Sequence, residues 1–431
     1  MLITIVTAGS RGDVQPYAAL ALGLRRAGHR VRLATHENFR AFVTGHGLEF
    51  TPIRGDPQAI LRGAAADAWL ASGRHRNMLR FAREMRRVAT PLVEQMLADF
   101  WHACQGADAV IFSLVGLASW HVAERLGVPR AAAFLQPVTR TRAFPTIGLP
   151  AALPLGRFGA AFNWATHVVA EQLMWQPVRS RVNRWRSATL GLPALSLEGP
   201  FRAMERQRVP VLYGFSPTVV PKPADWGDWV DVTGYWFLGP PPDWRPPPAL
   251  EAFLAAGPPP VYVGFGSMTP SNAARLTATA LEALERTGQR GVLLKGWGAL
   301  GEGALPPWAL AVDDVPHAWL FPRTAAVVHH GGAGTTGAGL RAGVPSVLTP
   351  LGFDQPFWGS RVAALGVGPP PVSRRALTAE RLAAAIRAAV TDEGMRARAA
   401  RLGERIRAED GVGRAVEAFE RHLRGHGSVA A

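Results

Sequence analysis

The chain has 431 residues, 48% of them hydrophobic and 18% charged, so it is long enough for two domains and too apolar to be disordered. No segment reaches the roughly 18 apolar residues that a membrane-spanning helix needs, and the first residues lack a basic leader, so secretion is not expected. The single cysteine, Cys104, excludes an internal disulfide and suits a reducing cytoplasm, where we expect the protein to act.

The formal net charge of +15 is almost all arginine, since Lys222 and Lys295 are the only lysines. No nucleic-acid-binding motif accompanies this charge, so we expect no nucleic-acid partner. Attraction to an anionic membrane surface fits the charge better, and peripheral membrane contact stays an open alternative. The sequence leaves the oligomeric state open.

The first half of the chain alternates strands with helices. Leu2–Ala8 is an apolar run of strand length, a glycine-containing turn follows, and Val14–Ala27 has apolar residues at helical spacing. The other elements predicted in this half are strands Val31–Ala34, Leu48–Ile53, Ala109–Leu114 and Ala131–Leu135, and helices Asn38–Thr44 and Leu117–Leu126. This alternation is typical of a parallel, doubly wound sheet. Two helical insertions, Trp69–Trp101 and the aromatic-rich Phe158–Leu190, either line a ligand cleft or simply cover the sheet.

A proline-rich stretch in the middle of the chain indicates a linker, after which the pattern restarts. The elements predicted after it are strands Val261–Phe265, Gly291–Leu294, Ala325–His329 and Ser346–Thr349, and helices Ala273–Arg286, Thr335–Ala342, Ala379–Val390, Met395–Arg407 and Val412–Arg424. We therefore predict an α/β protein with two Rossmann-like domains, whose parallel sheets face each other across a cleft. The predicted boundaries are residues 1–238 for the first domain, 239–249 for the linker, 250–408 for the second domain and 409–431 for a C-terminal helix and tail.

The strongest local signal is the segment VVHHGGAGTT, residues 327–336. An apolar strand runs into glycines and then into a helix N-terminus, where unpaired N–H groups and the helix dipole favour a phosphate group. The hydroxyls of Thr335 and Thr336 add donors, and His330 can donate to a phosphate oxygen. The segment is neither a Walker motif nor a dinucleotide fingerprint, and adjacent histidines on a strand face opposite sides, which makes a poor metal site. It favours diphosphate binding.

Two polar residues, Asp354 and Gln355, follow the strand predicted at Ser346–Thr349. Ligands of open α/β sheets bind at this end of the strands. An acid and an amide side by side can bind sugar hydroxyls, and we favour that role. The alternative is that Asp354 only caps a helix.

Asp13 is the candidate catalytic residue. It follows the first strand, and a carboxylate there can take the proton from a hydroxyl that attacks an anomeric carbon. The alternative is an N-cap role immediately ahead of the helix. We expect the helix N-terminus to keep this carboxylate ionised, and therefore a modest base.

No metal ion or other cofactor is predicted. The chain has no Asp-x-Asp motif of the metal-dependent sugar transferases, and Asp313 and Asp314 are adjacent. One cysteine and the lack of a helical histidine pair make a zinc site improbable. A departing diphosphate would be stabilised by the glycine loop, His330 and the helix dipole.

Two segments resemble the signatures of family 1, GT-B-fold glycosyltransferases: GSRGDVQPYAALALGLRRAGH at residues 9–29, and VVHHGGAGTTGAGLRAGVPSVLTPLGFDQPFWGSRVAALGVG at residues 327–368. The middle of the chain is similar to the sterol glucosyltransferase branch, and the resemblance covers nearly the whole chain. It implies inverting transfer, with the acceptor bound by the first domain and the nucleotide sugar by the second, and a last helix that crosses back to the first domain.

The resemblance also implies roles for individual residues. Asp13 stands at the position of the family's base. The implied donor-binding residues are Ser10, Arg11, Gly12, Gly266, Ser267, Trp297, Val315, His317, His330, Gly332, Ala333, Gly334, Thr335, Asp354 and Gln355. Among them, the segment from Asp314 to His317 resembles the one on which uracil rests, and Gly266 and Ser267 match a loop that closes on the phosphates.

The predicted function is transfer of a hexose, glucose by default, from a nucleotide diphosphate sugar, UDP-glucose by default, to a hydroxyl of a hydrophobic acceptor such as a sterol, polyketide or phenol. The co-substrates are therefore the only predicted ligands, and dTDP-sugars remain open as donors. Two alternatives are a catalytically silent homologue that serves as a partner protein and a nucleotide-sugar epimerase or hydrolase on the same fold.

Overall fold

The computed structural model describes residues 1–55, 93–150, 156–241, 243–266, 270–295 and 305–427. Most of the predicted helical insertion Trp69–Trp101 lies outside these residues. Its last part is helical and continues through residues 93–103 as helix α3.

The first domain is built on a seven-stranded sheet with strand order β3-β2-β1-β4-β5-β6-β7, and every recorded strand pair in it is parallel. Its strands are β1 (Leu2–Val6), β2 (Arg30–His36), β3 (Glu49–Ile53), β4 (Ala109–Phe112), β5 (Arg130–Phe134), β6 (Val211–Tyr213) and β7 (Val230–Val232). The central strand β4 is buried at every position. Continuous apolar strands of this kind are expected where helices cover both faces of a sheet.

The second domain contains a five-stranded parallel sheet with strand order β10-β9-β8-β11-β12. Its strands are β8 (Val261–Gly264), β9 (Gly291–Leu294), β10 (Ala309–Val312), β11 (Ala326–His329) and β12 (Ser346–Leu348). The predicted fold class, two Rossmann-like α/β domains with parallel sheets, is confirmed.

The remaining helices surround the two sheets. In the first domain they are α1 (Arg11–Arg26), α2 (Arg40–Gly45), α4 (Ser119–Leu126), α5 (Gly159–Trp175), α6 (Arg179–Ala188) and α7 (Gly199–Arg206). After the linker they are α8 (Pro248–Ala255), α9 (Pro270–Thr287), α10 (His317–Leu320), α11 (Ala333–Ala342), α12 (Gln355–Ala364), α13 (Ala379–Thr391), α14 (Glu393–Arg407) and α15 (Gly411–Gly427). No helix of the described ranges is long and apolar enough to cross a membrane.

Several elements were missed from sequence. Strands β6 and β7, with three residues each, and β10, with four, were not predicted. The first helix was placed too late, since α1 begins at Arg11 and not at Val14. Pro16 is the sixth residue of α1, where it lacks the N–H that would otherwise donate to the Gly12 carbonyl one turn earlier.

The two domains are joined by packing as well as by the chain. Helix α1 packs against α11 and α15, and α15 also contacts β6. On α15, Arg421 and His422 contact the carboxylate of Asp231 in β7, at 2.6 and 2.9 Å. Phe144 and Phe357 pack edge to face with their ring centres 5.4 Å apart. Because these contacts fix α1 beside α11, the N-terminal turns that carry Asp13 and the glycine loop belong to the same cleft.

Candidate functional site

Asp13 lies in the first turn of α1 and not ahead of it. Ser10 is the N-cap, and the Asp13 Oδ2 atom accepts hydrogen bonds from the Ser10 backbone N–H and hydroxyl, both at 2.8 Å. The predicted N-cap alternative is therefore wrong in position, because Asp13 closes a capping box from inside the helix. Gly9 is required here: its φ is +130°, and a Cβ atom would come within 2.6 Å of Oδ2.

The two oxygens of Asp13 have different surroundings. Oδ2 is held by Ser10, whereas Oδ1 has no recorded hydrogen-bond partner among the described residues. Burial raises the pKa of the Asp13 carboxyl above its ordinary value, while the Ser10 hydrogen bonds and the nearby His36 lower it. The net direction is opposite to our expectation from the helix N-terminus, because desolvation outweighs the favourable donors. A carboxylate with one fixed oxygen, one open oxygen and a raised pKa is suited to accept a proton.

The glycine loop follows β11 and leads into α11. His329 is fully buried, and its Nδ1 accepts a hydrogen bond from the Gly331 N–H at 3.1 Å, so this histidine shapes the loop. Gly331 adopts a φ of +98°, which favours glycine, and Gly332 is the N-cap of α11. Gly332 and Thr335 are half-buried, Gly334 is exposed and Ala333 is buried, so Ala333 can offer a ligand its backbone only.

Thr336 does not face the cleft. It is fully buried, and among the described residues its hydroxyl has no hydrogen-bond partner. Only Thr335 of the two threonines is therefore available to a ligand, which corrects the expectation that both hydroxyls contribute. The period of α11 explains the difference, because consecutive helical residues are turned by about 100°.

His330 lies between two glycines. A Cβ atom on Gly266 would come within 2.7 Å of the imidazole, and one on Gly332 within 2.6 Å. Its Nδ1 atom is buried without a hydrogen-bond partner in the described part of the chain. Burial, followed by the charge of Arg374, lowers the pKa of His330 to about 4. The ring is therefore neutral near pH 7 and can donate one N–H to a ligand.

Asp354 and Gln355 start α12 at the end of β12. Asp354 occupies the N-cap position but makes no side-chain cap, and its Oδ2 accepts from the Trp358 indole N–H at 2.8 Å. The Gln355 Oε1 atom accepts from the Leu351 N–H at 2.7 Å. Gln355 also packs beside the glycine loop, since a Cβ atom added to Gly331 would lie 3.3 Å from the Cβ atom of Gln355.

Asp354 interacts with the first domain. The pKa of Asp354 is raised to about 6, mainly by burial and also by the charge of Asp13. Hydrogen bonds from Trp358 and Gln136 oppose this increase. Asp13 and Gln136 of the first domain therefore both act on Asp354 of the second domain. Sequence reasoning missed Gln136 and Trp358. The signal for Gln136 was its place just after β5, at the same edge of the sheet as Asp13.

The predicted nucleotide segment precedes and begins α10. Val315 is buried, so its side chain belongs to the core. The His317 imidazole stacks on the Phe321 ring, with centres 4.3 Å apart and planes at 16°. Burial, and then the charge of Arg11, lowers the pKa of His317 to about 4.

Arg11 extends from α1 to the same segment. It forms an ion pair with Asp314 of the second domain, and Gly12 beside it is exposed. Gly266 adopts a φ of +71° next to His330. Ser267 and Trp297 lie outside the described residues.

Two family models match the chain. Residues 3–145 match the glycosyltransferase family 28 N-terminal domain, and residues 299–415 match the C-terminal domain of the erythromycin biosynthesis protein CIII-like family. The first match contains Asp13, and the second contains the glycine loop, Asp354 and Gln355.

The chain is similar to curated fungal proteins and to solved structures. It is 42% identical to a sterol 3-beta-glucosyltransferase of Emericella nidulans, over 98% of this chain and 30% of that protein. It is 41% identical to a sterol 3-beta-glucosyltransferase of Cryptococcus neoformans, over 98% of this chain and 27% of that protein. The chain thus spans less than a third of these relatives. The structure of the kitacinnamycin glycotransferase is 22% identical, with a TM-score of 0.71 over 98% of this chain and 99% of that one. The structure of the calicheamicin glycosyltransferase CalG4 is 18% identical, with a TM-score of 0.68 over 100% of this chain and 99% of that one.

Proposed function

We propose that the chain is a glycosyltransferase of the GT-B fold, an inverting enzyme that moves a hexose from a nucleotide diphosphate sugar to a hydroxyl of a hydrophobic acceptor. The observation that carries the proposal is the meeting of Asp13 from one domain with Asp354 from the other, beside the glycine loop. A candidate base, a candidate sugar-binding pair and a candidate phosphate-binding loop converge on one cleft.

The proposed chemistry is a single displacement. Asp13 Oδ1 accepts the proton of the acceptor hydroxyl while that oxygen bonds to the anomeric carbon. The bond from the anomeric carbon to the phosphate oxygen breaks on the opposite face, and the nucleoside diphosphate leaves with the electron pair. His330 and the N–H groups that begin α11 stabilise the charge that develops on this leaving group. Neither a metal ion nor another cofactor takes part in this proposal.

UDP-glucose is the proposed donor, and the names of the fungal relatives support glucose as the sugar. Asp354 and Gln355 would bind the sugar hydroxyls and Gly332 to Thr335 the diphosphate. The segment from Val315 to His317 would contact the nucleobase of the donor, mainly through its backbone. A dTDP-sugar stays an alternative for the assay.

The acceptor is proposed to be an apolar alcohol, and helix α5 supports this. Its one charged residue, Glu171, is buried and paired with Arg140 at 2.5 Å. Several of its other side chains remain exposed, among them Val169 at 56% and Leu173 at 71%. The helix packs on the loop after β5, since Thr146 donates to the Thr166 hydroxyl at 2.9 Å. An apolar surface therefore adjoins the end of the sheet that carries Gln136.

The proposed location is the cytoplasm, with peripheral membrane contact as an alternative that the exposed face of α5 supports. Cys104 is the single cysteine of the sequence and is buried, and burial raises the pKa of its thiol to about 12. The chain therefore forms no internal disulfide that would point to an oxidising compartment, and its thiol is unreactive. Cell fractionation, followed by a salt wash of the membrane fraction, tests both statements.

The deciding experiment follows UDP release from UDP-glucose with and without mixed sterol, phenolic and macrolide acceptors, with dTDP-glucose in parallel. Release that requires an acceptor, with a glucosylated product seen by mass spectrometry, supports transfer. Release without an acceptor indicates a hydrolase, and isomerised nucleotide sugar indicates an epimerase. Tight nucleotide binding with no turnover across the acceptor panel indicates a silent homologue, and each of these three results overturns the proposal.

A further inference from the structure

A cationic side chain that the proposed function does not use lies beside the glycine loop. Arg374 belongs to a short 3-10 turn after β12, and its backbone N–H donates to the Pro350 carbonyl at 3.0 Å. Two residues earlier, the Val372 N–H donates to the Leu348 carbonyl at 2.9 Å. The segment therefore continues along the end of β12 and carries Arg374 to the edge of the sheet where ligands of this fold class bind.

The side chain of Arg374 turns toward the loop after β8. Its Nη2 atom donates to the Phe265 carbonyl at 3.3 Å, and the guanidinium carbon lies 5.3 Å from the centre of the Phe265 ring. The next residue, Gly266, is the one against which the His330 imidazole packs. The guanidinium of Arg374 and the imidazole of His330, which is proposed to contact the diphosphate, therefore contact two consecutive residues of the same loop, Phe265 and Gly266.

Arg374 has unused hydrogen-bonding capacity, and no counter-ion for it lies among the described residues. Its Nε atom is buried, and no hydrogen-bond partner for it exists among the described residues. No carboxylate in the described ranges forms an ion pair with it, and the charge that acts on its pKa is that of Arg275, another cation. Burial and this like charge lower the pKa of Arg374 to about 10, so it stays protonated near pH 7.

A partly buried cation beside another cation is unfavourable unless an anion is bound there for part of the working cycle. A guanidinium matches phosphate oxygens with two parallel N–H donors. The two nearest proposed diphosphate contacts are both uncharged, because His330 is neutral and the helix N-terminus offers only backbone dipoles. The nucleoside diphosphate gains a negative charge as the bond to the sugar breaks, and these two contacts offer no full positive charge to balance it.

We propose that Arg374 binds the diphosphate of the nucleotide sugar and neutralises the charge that develops on it as it leaves. The proposal rests on the proposed function and adds to it the fixed cation that takes the place of a metal ion. Arg275, near the start of α9, adds a weaker, more exposed charge to the same pocket. The structural alternative is that Arg374 only ties the turn after β12 to β8.

Ligand binding separates these two roles. Arg374→Gln is compared with wild type and with Arg375→Gln, which removes an exposed arginine from the same turn. Calorimetry with UDP, dTDP, uridine, thymidine and inorganic pyrophosphate is the measurement. We expect Arg374→Gln to weaken binding of the three diphosphate-containing ligands by about 30-fold or more, to leave nucleoside binding unchanged, and Arg375→Gln to match wild type.

Unchanged diphosphate binding in Arg374→Gln, or an equal loss for nucleoside and diphosphate, overturns the proposal and leaves the proposed function intact. A wild-type protein that binds neither nucleoside diphosphates nor pyrophosphate overturns both. If Arg374→Gln does not fold, Arg374→Lys decides, because lysine keeps the charge but loses the paired donors. The rise in Tm caused by pyrophosphate should then be smaller than in wild type, and an undiminished rise contradicts the proposal.

Discussion

Asp13 and Asp354 belong to different domains, yet the charge of Asp13 acts together with burial to raise the pKa of Asp354 to about 6. The indole of Trp358 and the amide of Gln136 oppose this increase. The pKa of Asp354 can therefore be measured to test whether the two domains have the described arrangement in solution.

Stability should depend on pH through Asp354. A carboxyl with a raised folded-state pKa contributes stability below its unfolded pKa of about 3.9 and loses that contribution as the pH rises through 6. Asp354→Asn keeps an acceptor for Trp358 but cannot ionise. Its free energy of unfolding, relative to wild type, should increase by on the order of 2 kcal/mol between pH 4 and pH 7.5. Urea unfolding at both pH values measures this, and a pH-independent difference would contradict it.

Trp358→Phe provides the matched comparison. It removes the N–H that stabilises the Asp354 carboxylate while keeping an aromatic ring in the core, so the pKa of Asp354 should increase further. The pH range in which wild-type stability falls should move upward in this variant. An unmoved range would mean that the indole contact is not formed in solution.

Asp13→Asn tests the proposed base. The amide oxygen can still accept from Ser10, so the free energy of unfolding should change by less than about 1 kcal/mol, whereas kcat should fall about 100- to 10,000-fold. Ser10→Ala is the control, since it removes the N-cap and should cost about 0.5–2 kcal/mol of stability with a smaller loss of kcat. An Asp13→Asn variant with wild-type kcat would exclude the proposed mechanism.

Arg11 offers a test of donor binding across the cleft. Its ion pair with Asp314 is exposed, with 47% and 70% of the side chains accessible, so it contributes about 1 kcal/mol of stability or less. Arg11→Gln should leave Tm nearly unchanged and raise the donor KM about tenfold. Arg30→Gln is the control, because Arg30 forms an exposed pair with Glu49 at the opposite ends of the strands. An equal effect of both variants on KM would argue against a specific role for Arg11.

Turnover should not require a divalent metal ion. We expect EDTA to leave the rate of UDP release unchanged, because helix α11, His330 and Arg374 supply the stabilisation of the leaving group. Added Mg²⁺ should not restore activity to His330→Ala. A rate that falls with EDTA and recovers with Mg²⁺ would contradict the metal-independent proposal.

Much of the fold could be predicted because its signals are local. Apolar runs such as the one that forms β4, and glycines such as Gly28 and Gly343 after the ends of helices α1 and α11, place the strands and helix ends within a few residues. The strands that were missed are β6, which lies between β5 and β7, and the edge strands β7 and β10. They are stabilised by pairing with neighbouring strands that are distant along the chain, which a local pattern does not show.

The sequence also determined the residue types of the candidate site, since glycines before a helix favour phosphate binding and polar residues after a strand lie at the ligand-binding edge of the sheet. Only the tertiary structure decided which oxygen of Asp13 is held by Ser10, that Thr336 faces the core, that Gln136 and Trp358 act on Asp354, and that Arg374 contacts Phe265. These facts depend on burial and on contacts between residues up to 341 positions apart, as for Asp13 and Asp354. Desolvation and charge act through space, so no local pattern in the chain encodes the pKa of Asp354 or that of Arg374.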